Sequence, residues 1–480
     1  MPNIIYILAD DLGYGDIGAF NPDCRIPTPN IDRLAAEGMT FTDAHSSSAV
    51  CTPSRYSILT GRYCWRTSLK HGVLYGYEPP LIERDRPTVA RVLKRAGYTT
   101  ACIGKWHLGL GYHVKPGCHF DFARPLPWGN AAREDEEKID FARGVFDGPT
   151  ALGFDYFFGC SGCPTCQPPY GFIENERFVE IPSEYRPRPP FAGRPGMAAP
   201  SWQHKEADPT FARKAVEFIE RQAGSPKPFF LYLCSSAPHE PCVEETVPEF
   251  ARGKSRAGHR GDLVWLFDWM VGQVLDALER TGQANDTLVF VTSDNGALPG
   301  DRVRRGGDFH GYATYGHKSC GHWRGYKAHI WEGGHREPLI AWWPGQVPGG
   351  TTCDQLVGIF DLLPTVAELT GQKVPPGAAE DAISILPLLE GNPAARGREV
   401  IVHHSCFGVF SIRKGPWKMV YQCENSGGWP PPRGTGPKPG SPGQLYNLDE
   451  DPREQRNLWH DLPEKVRELE ALLAEVRGGA

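Results

Sequence analysis

Buried strands alternate with amphipathic helices along much of this chain, and this alternation restricts the folds open to it. Short apolar runs predict strands at residues 3–9, 99–103, 229–234, 287–292 and 339–343. Apolar residues at helical spacing predict helices before the second, third and fourth of these strands, at 86–98, 209–223 and 262–280. Connections of this kind indicate a mostly parallel sheet with helices on both faces.

The composition is that of a folded protein and excludes several classes of partner. The chain has 480 residues, 40% of them hydrophobic, which is enough for a sizeable core. Its net charge of −6 gives no reason to expect nucleic acid or a membrane surface as a partner. No apolar run in the sequence is long enough to span a bilayer.

Signals of cellular compartment are few. The first predicted strand begins almost at the first residue, without the basic segment and cleavage site of a signal peptide. We therefore expect a cytoplasmic protein, or a periplasmic or secreted one if a leader was removed. The 14 cysteines are irregularly spaced and do not decide this. Cys160, Cys163 and Cys166 lack an obvious fourth zinc ligand, so loop cysteines or a local disulfide are favoured there.

Charged and polar residues follow several of the predicted strands. Asp10 and Asp11 end the first strand, and Asp294 and Asn295 follow the fourth. Ligands bind at the carboxyl ends of strands in open α/β sheets, and adjacent buried carboxylates need positive partners. These oxygen donors suit a hard divalent cation. For the two aspartates, a helix cap in a solvated turn is the alternative.

Basic residues follow the strands between them. Lys105 and His107 come after the second strand and face the same way if the chain is extended, and His239 lies past the third strand between prolines. A cation beside a titratable imidazole suits an anionic substrate. An exposed lysine and a histidine that is satisfied in the core remain the alternative for the first two.

Residues 51–55 read Cys-Thr-Pro-Ser-Arg and predict the start of a helix. Pro53 suits a first helical turn, and Gly61 would end the helix. Cys51 would then lie at the helix N-terminus, where negative charge is favoured, with Arg55 one turn later. A nucleophilic thiolate and a buried structural cysteine beside an ordinary arginine both remain open.

Six motifs occur in the same order as in type I sulfatases of the alkaline phosphatase superfamily, and the chain resembles that family. They lie at residues 9–16, 51–55, 104–109, 237–241, 292–296 and 324–327 with 332–334. Further similarity at 444–449 extends the resemblance across nearly the whole chain. It implies a large α/β domain at 1–392, in which helices enclose a mixed sheet. A smaller domain at 393–480 would carry an antiparallel sheet and a terminal helix.

The resemblance also implies a modified residue and a metal ion. In this family a separate maturation enzyme reads C-x-P-x-R and oxidises the cysteine, here Cys51, to Cα-formylglycine. One hydroxyl of the hydrated aldehyde attacks sulfur, and the other then lets sulfate leave. One Ca²⁺ would be bound by residue 51 together with Asp10, Asp11, Asp294 and Asn295.

The remaining roles carry over from the same motifs. Arg55 would orient the modified residue, and Lys105, His239 and Lys327 would bind sulfate oxygens. His239 or Lys327 would protonate the leaving oxygen, and His107 would assist sulfate release. The resemblance therefore implies a sulfuric ester hydrolase.

The substrate is indicated less directly. Residues 339–345 and 360–362 resemble sulfatases that act on galactose or N-acetylgalactosamine sulfates, so a sulfated glycan is favoured over a small sulfate ester. His322 and Arg324, in the basic segment 301–326, and His71 are candidates for binding it; a solvated loop is the alternative for that segment. A phosphate or phosphonate ester hydrolase and a noncatalytic glycan-binding relative remain alternative functions.

Overall fold

The computed structural model describes residues 1–122, 133–187, 193–305, 308–429 and 440–478. The strands are β1 (Asn3–Ala9), β2 (Met39–His45), β3 (Thr99–Lys105), β4 (Gly111–Tyr112), β5 (Val145–Phe146), β6 (Tyr156–Cys160), β7 (Ile173–Glu174), β8 (Arg177–Phe178), β9 (Glu184–Arg186), β10 (Gly196–Ala198), β11 (Phe229–Cys234), β12 (Thr287–Ser293), β13 (Asp301–Arg305), β14 (Asp308–Ala313), β15 (Arg336–Trp342), β16 (Thr351–Cys353), β17 (Val357–Gly358), β18 (Val400–His404), β19 (Phe410–Lys414), β20 (Trp417–Val420) and β21 (Gln444–Asn447). The helices are α1 (Pro29–Glu37), α2 (Cys51–Thr60), α3 (Val89–Arg95), α4 (Arg133–Glu136), α5 (Ala207–Gln222), α6 (Gly258–Arg280), α7 (Leu362–Leu369), α8 (Leu386–Leu389) and α9 (Pro463–Gly478).

A large mixed sheet forms the centre of the molecule and confirms the fold class. Its middle has the order β12-β1-β11-β3-β6, and all of these neighbours are parallel. On one side β15 runs antiparallel to both β12 and β2. The described residues between β12 and β15 form a hairpin and loops without an α-helix, so this strand does not return in the parallel direction.

The two faces of the sheet are covered by different helices. Along β1, Ile4, Tyr6 and Leu8 lie in one core cluster, whereas the residues between them lie in the other. This follows from the alternation of side chains along a strand. Helices α2, α3 and α7 pack in the first cluster, and α1, α5 and α6 in the second. None of the described helices is long and apolar enough to cross a membrane.

The last part of the chain adds a small antiparallel sheet in the order β18-β19-β20-β21. Apolar residues of this sheet and of α9 belong to the same core cluster as α2 and α3. The smaller sheet and the terminal helix confirm that part of the fold. The division at residues 392 and 393 stays a prediction.

Three buried histidines join the large sheet to the small one. His335 stacks on His403 with ring centroids 3.8 Å apart, and its Nδ1 lies 3.0 Å from His45 Nδ1. Burial lowers the pKa of all three rings. Lys418 lowers the pKa of His335 and His403 further, and Glu332 opposes these shifts. The histidines are therefore held neutral in the folded protein.

We expect acid to destabilise the protein through this cluster. The unfolded chain takes up protons near the ordinary histidine pKa of about 6.5, whereas the folded protein does so only at lower pH. The contribution of the neutral histidines to the free energy of unfolding is therefore fully present above about pH 6.5. It declines as the pH falls below that value. His403→Phe keeps a stacked ring but removes a titrating group. Its melting temperature should fall less between about pH 7.5 and about pH 5.5 than that of the parent protein.

The matched control is His460→Phe, because His460 is exposed and lies outside the cluster. This variant should keep the pH dependence of the parent. An equal loss of melting temperature in His403→Phe and in the parent would contradict the interpretation.

Candidate active site

Four adjacent strands of the large sheet deliver polar residues to one edge. Asp294 and Asn295 follow β12, and Asp10 and Asp11 follow β1. His239 follows β11, and Lys105 ends β3. Helix α2 meets this edge with its first residue, Cys51. The sequence-based expectation that these side chains converge is therefore met in the geometry.

Helix α2 begins and ends as its sequence predicts. Pro53 lies in the first turn, and Gly61 follows the last turn in a left-handed conformation (φ 66°) that glycine adopts without strain. All ten residues of the helix are buried. The helix is therefore a rigid support that fixes Cys51 and Arg55 against the sheet edge.

Three cations pair with three carboxylates at the centre of the site. Lys105 Nζ lies 2.5 Å from Asp10 Oδ2, and Lys327 Nζ lies 2.7 Å from Asp11. Arg55 Nε donates to Asp294 Oδ2 at 2.8 Å. Because all these side chains are almost fully buried, each charge depends on its partner for compensation.

The pairing shifts the ionisation of these groups. Burial opposes the charged form of Asp10, but Lys105 and the other nearby cations outweigh it and hold the pKa of Asp10 well below its usual range. Burial and the neighbouring Asp10 raise the pKa of Asp294 to about 6. Asp11 and Cys51 raise the pKa of Lys327 well above its usual value despite burial, so this lysine stays protonated.

The oxygen donors fit a hard cation such as Ca²⁺. Asn295 donates its Nδ2 hydrogen to Asp11 Oδ1 at 2.7 Å, and this leaves Asn295 Oδ1 buried without a hydrogen-bond partner. A buried amide oxygen without a partner destabilises the folded state unless a hydrogen-bond donor or a cation binds it. Together with Asp10, Asp11 and Asp294 it forms the kind of all-oxygen donor set that Ca²⁺ prefers.

Cys51 lies among these groups with its sulfur enclosed. Its Sγ is 3.4 Å from Asp10 Oδ1 and 3.7 Å from Lys327 Nζ, and the residue is 1% exposed. Burial raises the pKa of the thiol even though Lys105 and Lys327 act in the other direction. The interpretation of Cys51 as an activated thiolate is therefore not favoured, although it does begin a helix.

His107 is held in one orientation and in its neutral form. Its backbone is left-handed (φ 58°), and Thr52 Oγ1 donates to its carbonyl at 3.0 Å. Nε2 lies 2.7 Å from the carbonyl oxygen of Leu74, so it carries the ring hydrogen. Burial and then Lys105 lower the pKa of His107 well below its usual value. Nδ1, which is buried without a partner, is left as a proton acceptor.

His239 faces the carboxylates with one ring nitrogen and two cysteines with the other. Its Nε2 lies 3.8 Å from Asp11 Oδ2, and its Nδ1 lies 2.6 Å from the Glu240 carbonyl and 3.2 Å from Cys163 Sγ. Sequence reasoning did not connect Cys163 with His239. The only signal for it was the cysteine cluster at 160–166.

The three candidates for substrate binding lie in different surroundings. Arg324 stacks on the Trp331 ring at 3.8 Å and donates to Glu454 and Tyr446 of the C-terminal part. His322 is exposed and its ring lies against Trp323, with ring centroids 4.1 Å apart. His71 lines a cavity of about 490 Å³ together with several basic and aromatic residues. Their roles in binding remain predictions.

The site combines a buried cysteine at a helix start, an oxygen-donor set and three cations, an arrangement that suits the hydrolysis of anionic esters. Residues 2–372 match the Sulfatase family, so this chain belongs to that family and is a sulfatase enzyme. Members of the family generally depend on formylglycine and Ca²⁺.

Two relatives and one solved structure illustrate the similarity. The chain is 33% identical to the N-acetylgalactosamine-6-O-sulfatase of Bacteroides thetaiotaomicron, over 99% of this chain and 93% of the relative. It is 30% identical to human arylsulfatase G, over 99% of this chain and 85% of the relative. A solved Bacteroides thetaiotaomicron structure, described under the metabolism of multiple glycosaminoglycans, matches with a TM-score of 0.81 and 30% identity over 99% of both chains.

We expect Arg55 to be essential for stability, because its removal leaves the Asp294 carboxylate buried without its cationic partner. Arg55→Met should lower the free energy of unfolding by about 3–5 kcal/mol, measured by denaturant titration. Arg33→Met is the matched control, because Arg33 pairs with Glu37 and Glu279 at the surface and should change stability by less than about 1 kcal/mol. Equal effects of the two substitutions would show that the buried pair is not needed.

Proposed function

We propose that this sulfatase removes sulfate from a sulfated carbohydrate, with galactose or N-acetylgalactosamine sulfate as the favoured class. It would use residue 51 as Cα-formylglycine and one Ca²⁺. The observation that carries the proposal is the convergence of three paired cations and four oxygen-donor residues on residue 51. The similarity to an N-acetylgalactosamine-6-O-sulfatase over almost the whole chain supports the substrate class.

Residue 51 would carry the aldehyde, and the oxygen donors would hold the metal ion. Asp10, Asp11, Asp294 and Asn295 would bind the ion together with residue 51. When bound, Ca²⁺ would neutralise charge on a sulfate oxygen and lower the pKa of the attacking hydroxyl. When formed, the hydrated aldehyde supplies one hydroxyl for attack on sulfur and a second through which sulfate is released.

The cations of this chain would hold the sulfate group. Lys105 and Lys327 both lie beside residue 51 and remain protonated, so their ammonium hydrogens can bind sulfate oxygens as charge develops. His239 Nε2 points to the same place from the neighbouring strand. Arg55 stays bonded to Asp294 and to the Lys105 carbonyl, which suits a role in orienting residue 51.

Proton transfer would be divided between the two sides of the site. His239 or Lys327 would give a proton to the leaving alcohol oxygen, since both are held in their protonated forms. Neutral His107 would accept a proton at Nδ1 while its Nε2–H continues to donate to the Leu74 carbonyl oxygen. A positioned acid or base of this kind contributes about 10²–10⁴-fold to the rate.

Mass spectrometry of the peptide that contains residue 51 tests the chemistry directly. An active sample should carry the aldehyde at residue 51, and expression in a host without the maturation enzyme should give unmodified Cys51 and little activity. Cys51→Ala should reduce turnover to background, because no hydroxyl replaces the nucleophile. An active sample in which residue 51 is entirely an unmodified thiol would refute the mechanism.

A comparison of substrates separates the proposed function from its nearest alternative. The matched pair is an aryl sulfate and an aryl phosphonate with the same leaving group. The proposal expects a higher kcat/KM for the sulfate. A preference for the phosphonate would favour the phosphoester or phosphonate hydrolase instead.

The cavity that His71 lines, called the basic groove from here on, is the favoured place for the rest of a glycan. It is lined by Arg62, Trp65, Arg66, Lys70, His71, Phe407, Gly408, Phe410 and Arg477. Among the described residues that line it, none is acidic, and Phe407 is 60% exposed. Arg62 and Arg66 are already paired with Glu380 and Asp381. The exposed Lys70 and Arg477, in contrast, offer charge for sulfate groups beside aromatic faces for sugar rings.

Two chain segments connect this groove to the catalytic residues. His71 lies three residues before Leu74, whose carbonyl fixes His107. Cys406, next to Phe407, accepts a hydrogen bond from Gly72 and donates one to Ala328, the neighbour of Lys327. Three residues of extended chain span about 10 Å at most, so the groove lies within reach of a sugar attached to the reacting one.

We expect the groove to matter for glycans and not for small esters. Lys70→Ala and His71→Ala should each raise KM for a sulfated oligosaccharide about tenfold, which is about 1.4 kcal/mol of binding free energy, without changing KM for an aryl sulfate. Lys373→Ala is the matched control, because Lys373 is exposed and outside the groove. His322→Ala and Arg324→Ala examine the other two candidates. Unchanged glycan turnover in all four variants would remove the substrate-binding assignment.

A further inference from the structure

Two cysteines that the reaction does not use lie directly behind His239. The N–H groups of Cys166 and Gln167 both donate to the Cys163 carbonyl, at 3.2 and 2.9 Å, which closes a tight turn. The turn brings the two sulfurs and a ring nitrogen of His239 within 4.8 Å of one another. Cys160 is outside this group and is buried in a core cluster that also contains residues of α5 and α6.

We propose that Cys163 and Cys166 are an oxidisable dithiol, which peroxide converts to a disulfide and which thereby lowers sulfate ester turnover through His239. Cys163 and Cys166 are the first and fourth residues of the turn, and the Cα atoms of these two positions lie within about 7 Å of each other in a β-turn. A disulfide needs Cα atoms about 4.4–6.8 Å apart, so the turn suits this bond. The effect on turnover rests on the role proposed for His239, whereas formation of the disulfide does not.

The geometry favours a disulfide over a metal ion at this place. A metal would need the lone pair of His239 Nδ1. That nitrogen lies 2.6 Å from the Glu240 carbonyl oxygen, which can only accept a hydrogen bond, so Nδ1 carries the hydrogen. The imidazole therefore offers no ligand atom towards the two sulfurs, and the thiols are left to react with each other.

Cys166 is the cysteine that an oxidant reaches first. It is 8% exposed, whereas Cys163 is fully buried. Arg194 Nη1 lies 3.7 Å from Cys166 Sγ and donates to the Cys166 carbonyl at 3.0 Å. The hydrogen bond from Cys163 and the charge of Arg194 lower the pKa of the Cys166 thiol against the effect of burial. A thiolate is the reactive form of cysteine.

The oxidation has a simple balance. The Cys166 thiolate attacks one oxygen of hydrogen peroxide, which breaks the O–O bond and gives a sulfenic acid and hydroxide. The Cys163 sulfur then attacks the Cys166 sulfur, the S–O bond breaks, and water leaves as the disulfide forms. In sum, two thiols and one peroxide give one disulfide and two waters. A dithiol reductant returns two electrons and two protons and restores the thiols.

The disulfide would act on His239 by removing one of its supports. Cys163 Sγ lies 3.2 Å from His239 Nδ1 on the side of the ring opposite Asp11. Because Nδ1 carries the hydrogen, the Cys163 sulfur is its second acceptor, and forming the disulfide draws that sulfur towards Cys166 and away from Nδ1. Of the two groups at Nδ1, only the Glu240 carbonyl then remains in place. Cys163 is accordingly a positioning residue for the imidazole.

The test uses matured full-length enzyme, hydrogen peroxide and a small aryl sulfate. Peptide mapping should find a disulfide between Cys163 and Cys166, and kcat should fall at least about tenfold, within the 10²–10⁴-fold range of a positioned acid. A dithiol reductant should restore it. Cys166→Ser should keep its turnover in peroxide, whereas Cys118→Ser, which removes an exposed cysteine, should remain as sensitive as the parent.

Two further variants separate positioning from folding. Cys163→Ser keeps a hydroxyl beside Nδ1 and should retain most of the turnover without responding to peroxide. Cys163→Ala should lose turnover although it melts at the same temperature as Cys163→Ser. The proposal is overturned if peroxide oxidises Cys118 and leaves Cys163 and Cys166 reduced, or if their disulfide forms and kcat is unchanged. Either result leaves the sulfatase reaction of the reduced enzyme intact.

Discussion

The active centre depends on the pairing of buried cations with buried carboxylates. Lys105 with Asp10, Lys327 with Asp11 and Arg55 with Asp294 bring equal numbers of opposite charges into a dry site. A buried ion pair is weak evidence for stability, but breaking one is strongly destabilising. The three pairs are therefore neutral among themselves, and protonated His239 adds one positive charge beside them.

Much of this arrangement could be predicted from the sequence, because each part has a local signal. Buried strands, the Gly61 helix end and the polar residues after each strand can be read within a few positions. The antiparallel direction of β15 could not be predicted, because an apolar run looks the same in a parallel and in an antiparallel strand. The contact of Cys163 with His239 could not be predicted either, because the two residues lie 76 positions apart and meet only when two loops pack together.

The small sheet and the loops before β15 hold the centre in place. Glu332 pairs with Lys418 of β20 and with Arg336 of β15, so one residue of the motif at 332–334 ties the two sheets together. Gly296 needs to be glycine, because a Cβ there would lie 2.0 Å from the Gly333 carbonyl oxygen. Gly296 and Gly333 thus serve the close packing of two backbones beside Asp294 and Asn295.

The burial of α2 has a consequence for the order of events in biosynthesis. Cys51 is 1% exposed, and every residue of the helix that carries it is buried against the sheet or the loops around it. An enzyme that reads residues 51–55 as a linear signal cannot reach them once the sheet has closed. The proposed modification must therefore happen on the nascent or unfolded chain, and a molecule that folds first with its thiol intact has lost its only opportunity to become active.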